Sequence, residues 1–118
     1  MPRPKLDNYL RAYRKRSGLS QDEVAYLLGS SSGTKVSRFE RYARRPSLDV
    51  ALSYEAIFRV FGIPARELFA GRYQRVERSI MTRAARLQAR VETGPKASPR
   101  KLATLSAIRK IAAPISVQ

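Results

Sequence analysis

The chain has 118 residues, with 24 Lys plus Arg against 9 Asp plus Glu and a formal net charge of +15. That length suits one compact domain with an appendage, and that charge points to a polyanionic partner. The absence of Cys and His excludes a disulfide framework, a thiolate zinc site and the side chain most used for metal ligation and acid–base catalysis. No apolar run approaches the roughly 18 residues of a membrane span, and the first ten residues lack a signal-peptide core, so a soluble, cytoplasmic protein is expected.

Residues 1–4 make a short basic lead-in. A first helix is predicted over 7–17, with Asp7 as N-cap, Leu10 and Tyr13 facing inward and Gly18 closing it. Arg11, Arg14, Lys15 and Arg16 crowd its outer face. Ser20 and Glu23 have the spacing of a capping box for a second helix: the Ser oxygen accepts a free N–H, and the Glu reaches back. Val24, Leu27 and Leu28 form its apolar side, and Gly29 permits a sharp exit.

A third helix starts between Ser32 and Thr34. Val36 and Phe39 are its i, i+3 core contacts, while Lys35, Ser37, Arg38 and Arg41 point elsewhere. Pro46 cannot continue it, and Ser47 can cap a fourth helix over 48–61, with Leu48, Ala51, Leu52, Ile57 and Phe58 or Phe61 as core candidates. Gly62 ends that helix. Pro64 takes the N1 position of a short fifth helix containing Leu68 and Phe69. Gly71 is the predicted boundary between a domain at 1–71 and a basic helical extension at 72–118.

The extension carries a net +9, against +6 for the domain. Between 72 and 91 there is no Gly or Pro, and Val76, Ile80, Ala84, Leu87 and Val91 step by four and three along one helical stripe. The stripe reads as a sixth helix folded onto its own domain or as a two-helix dimer seam. The seam is preferred, through Val76, Ile80, Leu87 and Val91, with Arg75, Arg78, Arg83, Arg86 and Arg90 on its flanks. Gly94, Pro95 and Pro99 mark a loop over 93–99. A last helix over 101–112 bears Leu102, Leu105 and Ile108, and Pro114 stops it before a frayed tail.

Two short helices about a tight turn, the second polar and cationic around a thin apolar seam, are the simplest device for setting a helix into the DNA major groove. Residues 6–69 resemble the Cro/repressor-type (XRE-like) helix-turn-helix family. The matching pieces are Leu10-Arg11-Ala12-Tyr13-Arg14, Gly18-Leu19-Ser20-Gln21, Val24-Ala25, Leu28-Gly29, Val36-Ser37-Arg38-Phe39-Glu40, Pro46-Ser47-Leu48 and Glu67-Leu68-Phe69. The resemblance implies an all-α fold: a compact five-helix, lambda-repressor-like domain, here with an additional C-terminal amphipathic helix. It also implies no catalytic site, and a dimer on a palindromic operator. Two departures stand out. The run Ser30-Ser31-Ser32-Gly33 makes the turn one residue longer than usual, which shifts the opening of the recognition helix by one position. The fourth helix is about a turn longer.

Thr34, Lys35, Ser37 and Arg38 are the expected base readers. Arg38 can span guanine O6 and N7, and Thr34 can meet a thymine methyl, whereas Lys35 suits a phosphate equally well. Arg41, Tyr42, Arg44 and Arg45 follow as phosphate clamps that set register. The resemblance implies that Gln21 bonds a phosphate and braces the recognition helix. It also implies that Arg14 pairs with Glu40 between the first and third helices, with Arg14 reaching a phosphate too.

The expectation is a sequence-specific DNA-binding transcriptional regulator, a repressor, on duplex DNA as a homodimer and so associated with the nucleoid. It needs no cofactor or metal and is not an enzyme. The alternative is an antitoxin-type interaction protein whose basic C-terminal segment neutralises a partner toxin while the domain autoregulates its operon. An RNA-binding module fits less well, for want of an aromatic strand platform.

Overall fold

The computed structural model describes residues 5–95 and 97–111. In chain order the helices are α1 (Leu10–Ser17), α2 (Gln21–Leu27), α3 (Thr34–Glu40), α4 (Leu48–Ile57) with a 3₁₀ turn at Phe58–Phe61, α5 (Ala65–Leu68), α6 (Ala70–Thr93) and α7 (Pro99–Ile111). Among the described residues there is no strand, and no helix is long and apolar enough to cross a membrane. Contacts divide the chain into two units, Met1–Tyr73 and Gln74–Gln118.

Local chemistry explains the ends of the helices in the first unit. The Ser20 hydroxyl accepts from the Glu23 N–H at 3.1 Å while a Glu23 carboxylate oxygen accepts from the Ser20 N–H at 2.8 Å, completing the capping box. The Ser47 hydroxyl accepts from Val50 N–H at the start of α4. Gly29 leaves α2 with φ of 77°, a conformation that costs glycine little. Tyr42 does the same after α3 at φ 63°, in a Schellman arrangement: its N–H donates to Phe39 O and the Ala43 N–H to Arg38 O.

The core of this unit is Leu10, Val24, Ala25, Val36, Phe39, Tyr54, Phe58, Leu68 and Phe69. Aromatic contacts tie its helices together. Phe39 of α3 meets Tyr54 of α4 edge-on at 6.3 Å between ring centroids, and Tyr54 stacks on Phe58 at 6.0 Å. Tyr13 of α1 lies 6.1 Å from Phe58. Pairs of this kind add about 0.5–1.5 kcal/mol each beyond the area they bury.

Several expectations need correction. The first helix starts at Leu10, three residues after Asp7, because residues 6–9 are claimed elsewhere. The Tyr9 N–H donates to Leu68 O at 2.7 Å, Gly71 N–H donates to Leu6 O, and Asn8 Oδ1 rather than Asp7 serves the helix start by accepting from Leu10 N–H. Leu48 and Leu52 are 74% and 51% exposed, and Leu27 is 53% exposed, so none belongs to the core; Tyr54 and Ala25 occupy the interior instead. Pro64 is the N-cap of α5, one position before N1. Gly71 lies inside α6, which begins at Ala70. The lead-in 1–4, Ala112 and Pro114 with the tail lie outside the described residues.

In the second unit α6 and α7 are joined by a short connection, and Arg109 Nη1 donates to Gln88 Oε1 at 3.0 Å between them. Ala84 and Leu105 are buried here, whereas Val76, Ile80 and Leu87 are 53%, 46% and 40% exposed.

The first unit buries a carboxylate. Glu40, at the end of α3, has a side chain only 2% exposed. Arg14 of α1 grips it with two bonds, Nε to Oε2 at 2.6 Å and Nη2 to Oε1 at 3.1 Å, and spends Nη1 on Leu19 O at 3.1 Å. Gln21 of α2 donates to Oε1 at 3.2 Å. The hydrogen bond to Glu40 raises the Arg14 pKa against the opposing effect of burial. Removing one member of such a pair strands the other charge, whereas replacing both with apolar groups is far less costly. Glu40→Ala should therefore lower the unfolding free energy by about 3 kcal/mol, and Arg14→Met with Glu40→Leu by much less, measured by urea denaturation. A double variant as unstable as Glu40→Ala would show that stranding is not the cause.

Tyr54 is fully buried, and its hydroxyl finds no partner among the described residues. Burial, then the nearby Glu40 carboxylate, push its phenol pKa well above the usual tyrosine value, while Arg14 opposes them. An unsatisfied buried hydroxyl costs about 1–3 kcal/mol. Tyr54→Phe should accordingly raise stability by about 1 kcal/mol in the same assay; a loss of that size would mean the hydroxyl is bonded in solution.

Candidate nucleic-acid interface

α3 buries Val36, Phe39 and Glu40 and turns its other residues outward. At about 100° per residue, Thr34, Arg38 and Arg41 fall nearly opposite Val36, with Ser37 and Lys35 on either flank. Thr34, Lys35, Arg38 and Arg41 are exposed and Ser37 is half-buried. Thr34, Ser37 and Arg38 thus share one outward face, while Lys35 stands at its opposite edge. This arrangement follows from the three buried positions, because a seven-residue helix has only two faces to give.

Both ends of α3 are pinned by side chains that sequence reasoning did not single out. At the start, Asp22 Oδ1 accepts from the Gly33 N–H at 2.8 Å. A Cβ at Gly33 would lie 2.6 Å from that same oxygen and 3.1 Å from the Asp22 backbone nitrogen, so the turn closes against α2 only because residue 33 is glycine. At the end, the buried Asn8 donates from Nδ2 to Phe39 O at 2.9 Å. Asp22 and Asn8 stood in the sequence as an ordinary first-turn acid and an Asx beside a helix start. Neither local pattern names a partner 11 or 31 residues away.

Gln21 is half-buried, with its amide nitrogen on Glu40, so it braces α3 directly. Arg14 is engaged with Glu40 and the Leu19 carbonyl, and its side chain is only 13% exposed. Both border an open hollow of about 750 Å³ between the starts of α2 and α3, lined also by Ser20, Asp22, Thr34 and Ser37. The hollow collects Gln21, Thr34 and Ser37 around one depression.

Past α3, Arg41, Tyr42, Arg44 and Arg45 are all exposed. Tyr42 turns its hydroxyl toward Asn8 O at 3.4 Å. None of Arg38, Arg41, Arg44 and Arg45 has a carboxylate partner among the described residues. Four exposed guanidiniums close in sequence, without a carboxylate partner among the described residues, suit bidentate bonds to phosphates and guanine edges. Val76, Ile80, Leu87 and Val91, the residues expected to form a dimer seam, lie in the other unit, along α6.

The family described as the helix-turn-helix domain matches residues 8–70, more than half of the chain. Comparison with curated proteins and with solved structures finds no match. The matched span holds α1 to α5 entire, including both helices of the motif, the Gly33 turn and the buried Glu40. The chain therefore belongs to the helix-turn-helix domain family, whose fold serves DNA binding.

Proposed function

We propose that this protein is a Cro/repressor-type, sequence-specific transcriptional regulator, a repressor that sets α3 into the major groove of operator DNA as a homodimer. The observation that carries the reading is the outward face of α3, where Thr34, Ser37 and Arg38 stand on a helix held at its start, at its end and through Glu40. A rigid reader suffers little loss of side-chain and backbone freedom on docking. Thr34, Ser37 and Arg38 are assigned to base edges and Lys35 to the rim of the groove. Arg41, Tyr42, Arg44 and Arg45 are assigned to phosphates, and Gln21 to a phosphate at the start of α2. Arg14 serves chiefly to hold Glu40.

Base contacts and phosphate contacts separate experimentally. Arg38→Ala should cost about 1–3 kcal/mol on the selected operator and relax preference at one or two positions, while Arg44→Ala weakens operator and random duplex alike. Competition binding against a random duplex measures both. Uniform loss in the two variants would remove Arg38 from base reading.

A single helix-turn-helix covers half an operator, and two recognition helices must stand about 34 Å apart. Pairing is assigned to α6, because Val76, Ile80 and Leu87 form an exposed apolar row on a strongly charged chain. Ile80→Glu with Leu87→Glu should leave helicity and melting unchanged but abolish cooperative protection of both half-sites in a footprint. Protection at the parent's concentration would exclude this seam.

A further inference from the structure

We infer that α6 carries a second duplex-DNA surface, an arginine arc that grips the phosphate backbone independently of the recognition face on α3. At 100° per residue, Arg75, Arg83, Arg86 and Arg90 fall within one arc of about 80° on the part of this helix that lies in the second unit. Glu77 and Glu92, the acidic residues of α6, lie about 140–160° from its centre. Arg83, Arg86 and Arg90 are exposed and have no carboxylate partner among the described residues. Their neighbours in the arc, Ser79 and Thr93, are small and neutral.

A charge run is ordinarily a solvated face, in which signs alternate so that i, i+4 pairs form. α6 does the opposite. Arg83, Arg86 and Arg90 gather on one side and the two carboxylates of α6 on the other, so these three forgo the pairing that would stabilise an isolated helix. Repulsion along the arc is relieved by a ligand with a line of negative charge. From Arg83 to Arg90 the arc runs about 10 Å, the length of roughly three phosphates of one strand at 3.4 Å per charge. Guanidinium forks donate two parallel bonds to a phosphate, which suits Arg rather than Lys, and α6 contains six Arg and no Lys. The helix has no aromatic residue in the arc on which a single-stranded base could stack, which favours duplex over single-stranded nucleic acid. The surface reads no sequence; it adds affinity for any duplex.

The test uses the full chain with Arg83, Arg86 and Arg90 all changed to Gln, beside the corresponding triple Lys variant and Arg38→Ala. Each is titrated onto a random-sequence duplex over a series of salt concentrations, with circular dichroism melts as control. Each phosphate contact adds about 0.9 to the negative log–log slope, so the Gln variant should lose about 2 to 3 from the parent slope, with an unchanged melt. The Lys variant should recover most of that slope. Arg38→Ala should keep the slope on random duplex, whether or not it reads a base on an operator, so failure of the α3 assignment leaves this result intact. A Gln variant with the parent slope would overturn the inference, as would equal losses in the Gln and Lys variants with a lowered melt. A loss seen on duplex RNA or anionic phospholipid vesicles but not on duplex DNA would overturn it too.

Discussion

The buried carboxylate of Glu40 is the point on which the arrangement of the first three helices turns. It sits at the end of α3, takes two bonds from Arg14 of α1 and a third from Gln21 of α2, and is almost wholly withdrawn from solvent. A charge placed there is tolerable only when its partners are in position, so the interaction favours one relative placement of the helices over its neighbours. Apolar packing alone is less exacting: Val36 and Phe39 could be buried with α3 rotated by some tens of degrees. The Glu40 bonds remove that freedom. Asp22 at one end and Asn8 at the other fix its length along the axis.

That constraint explains how so small a unit presents a defined outward face on α3. Residues on a seven-residue helix point where the helix points, and α3 makes only one or two turns of internal hydrogen bonds. Isolated, it would be marginal in water. Its order is therefore borrowed from α1, α2 and the aromatic contacts with α4. The division of labour in charge follows the same logic. Arg14, the arginine used for architecture, is shielded and paired, while Arg38, Arg41, Arg44 and Arg45 are exposed and have no carboxylate partner among the described residues.

Much of this was legible where chemistry is local. The Ser20–Glu23 capping box, the exit at Gly29, the Ser47 cap and the buried pair Val36 and Phe39 are each written in a few adjacent residues. The Arg14–Glu40 pair was legible through the resemblance, which supplies a long-range partner that spacing cannot. What failed was decided by tertiary context. α4 carries apolar residues on more than one side, so periodicity could not say that Tyr54 faces inward while Leu48 and Leu52 face out. Asp7 read as the cap because local chemistry could not foresee that Leu68 and Gly71 claim the backbone on either side. Asn8 and Asp22, which pin α3, bond to backbone atoms, so beyond the glycine at position 33 they leave no mark in the sequence of their partners.

The central claim is that α3, held by Glu40, is the face that meets DNA. It is tested most directly by following backbone amide and Arg side-chain N–H resonances of the ¹⁵N-labelled full chain as selected operator duplex is added. The account requires the largest shifts within the first unit at Gln21, Thr34, Ser37, Arg38 and the 41–45 segment, with Leu10, Val24 and Tyr54 unmoved. A bound state in which the signals of α3 stay in place while those of another surface of that unit move would contradict it.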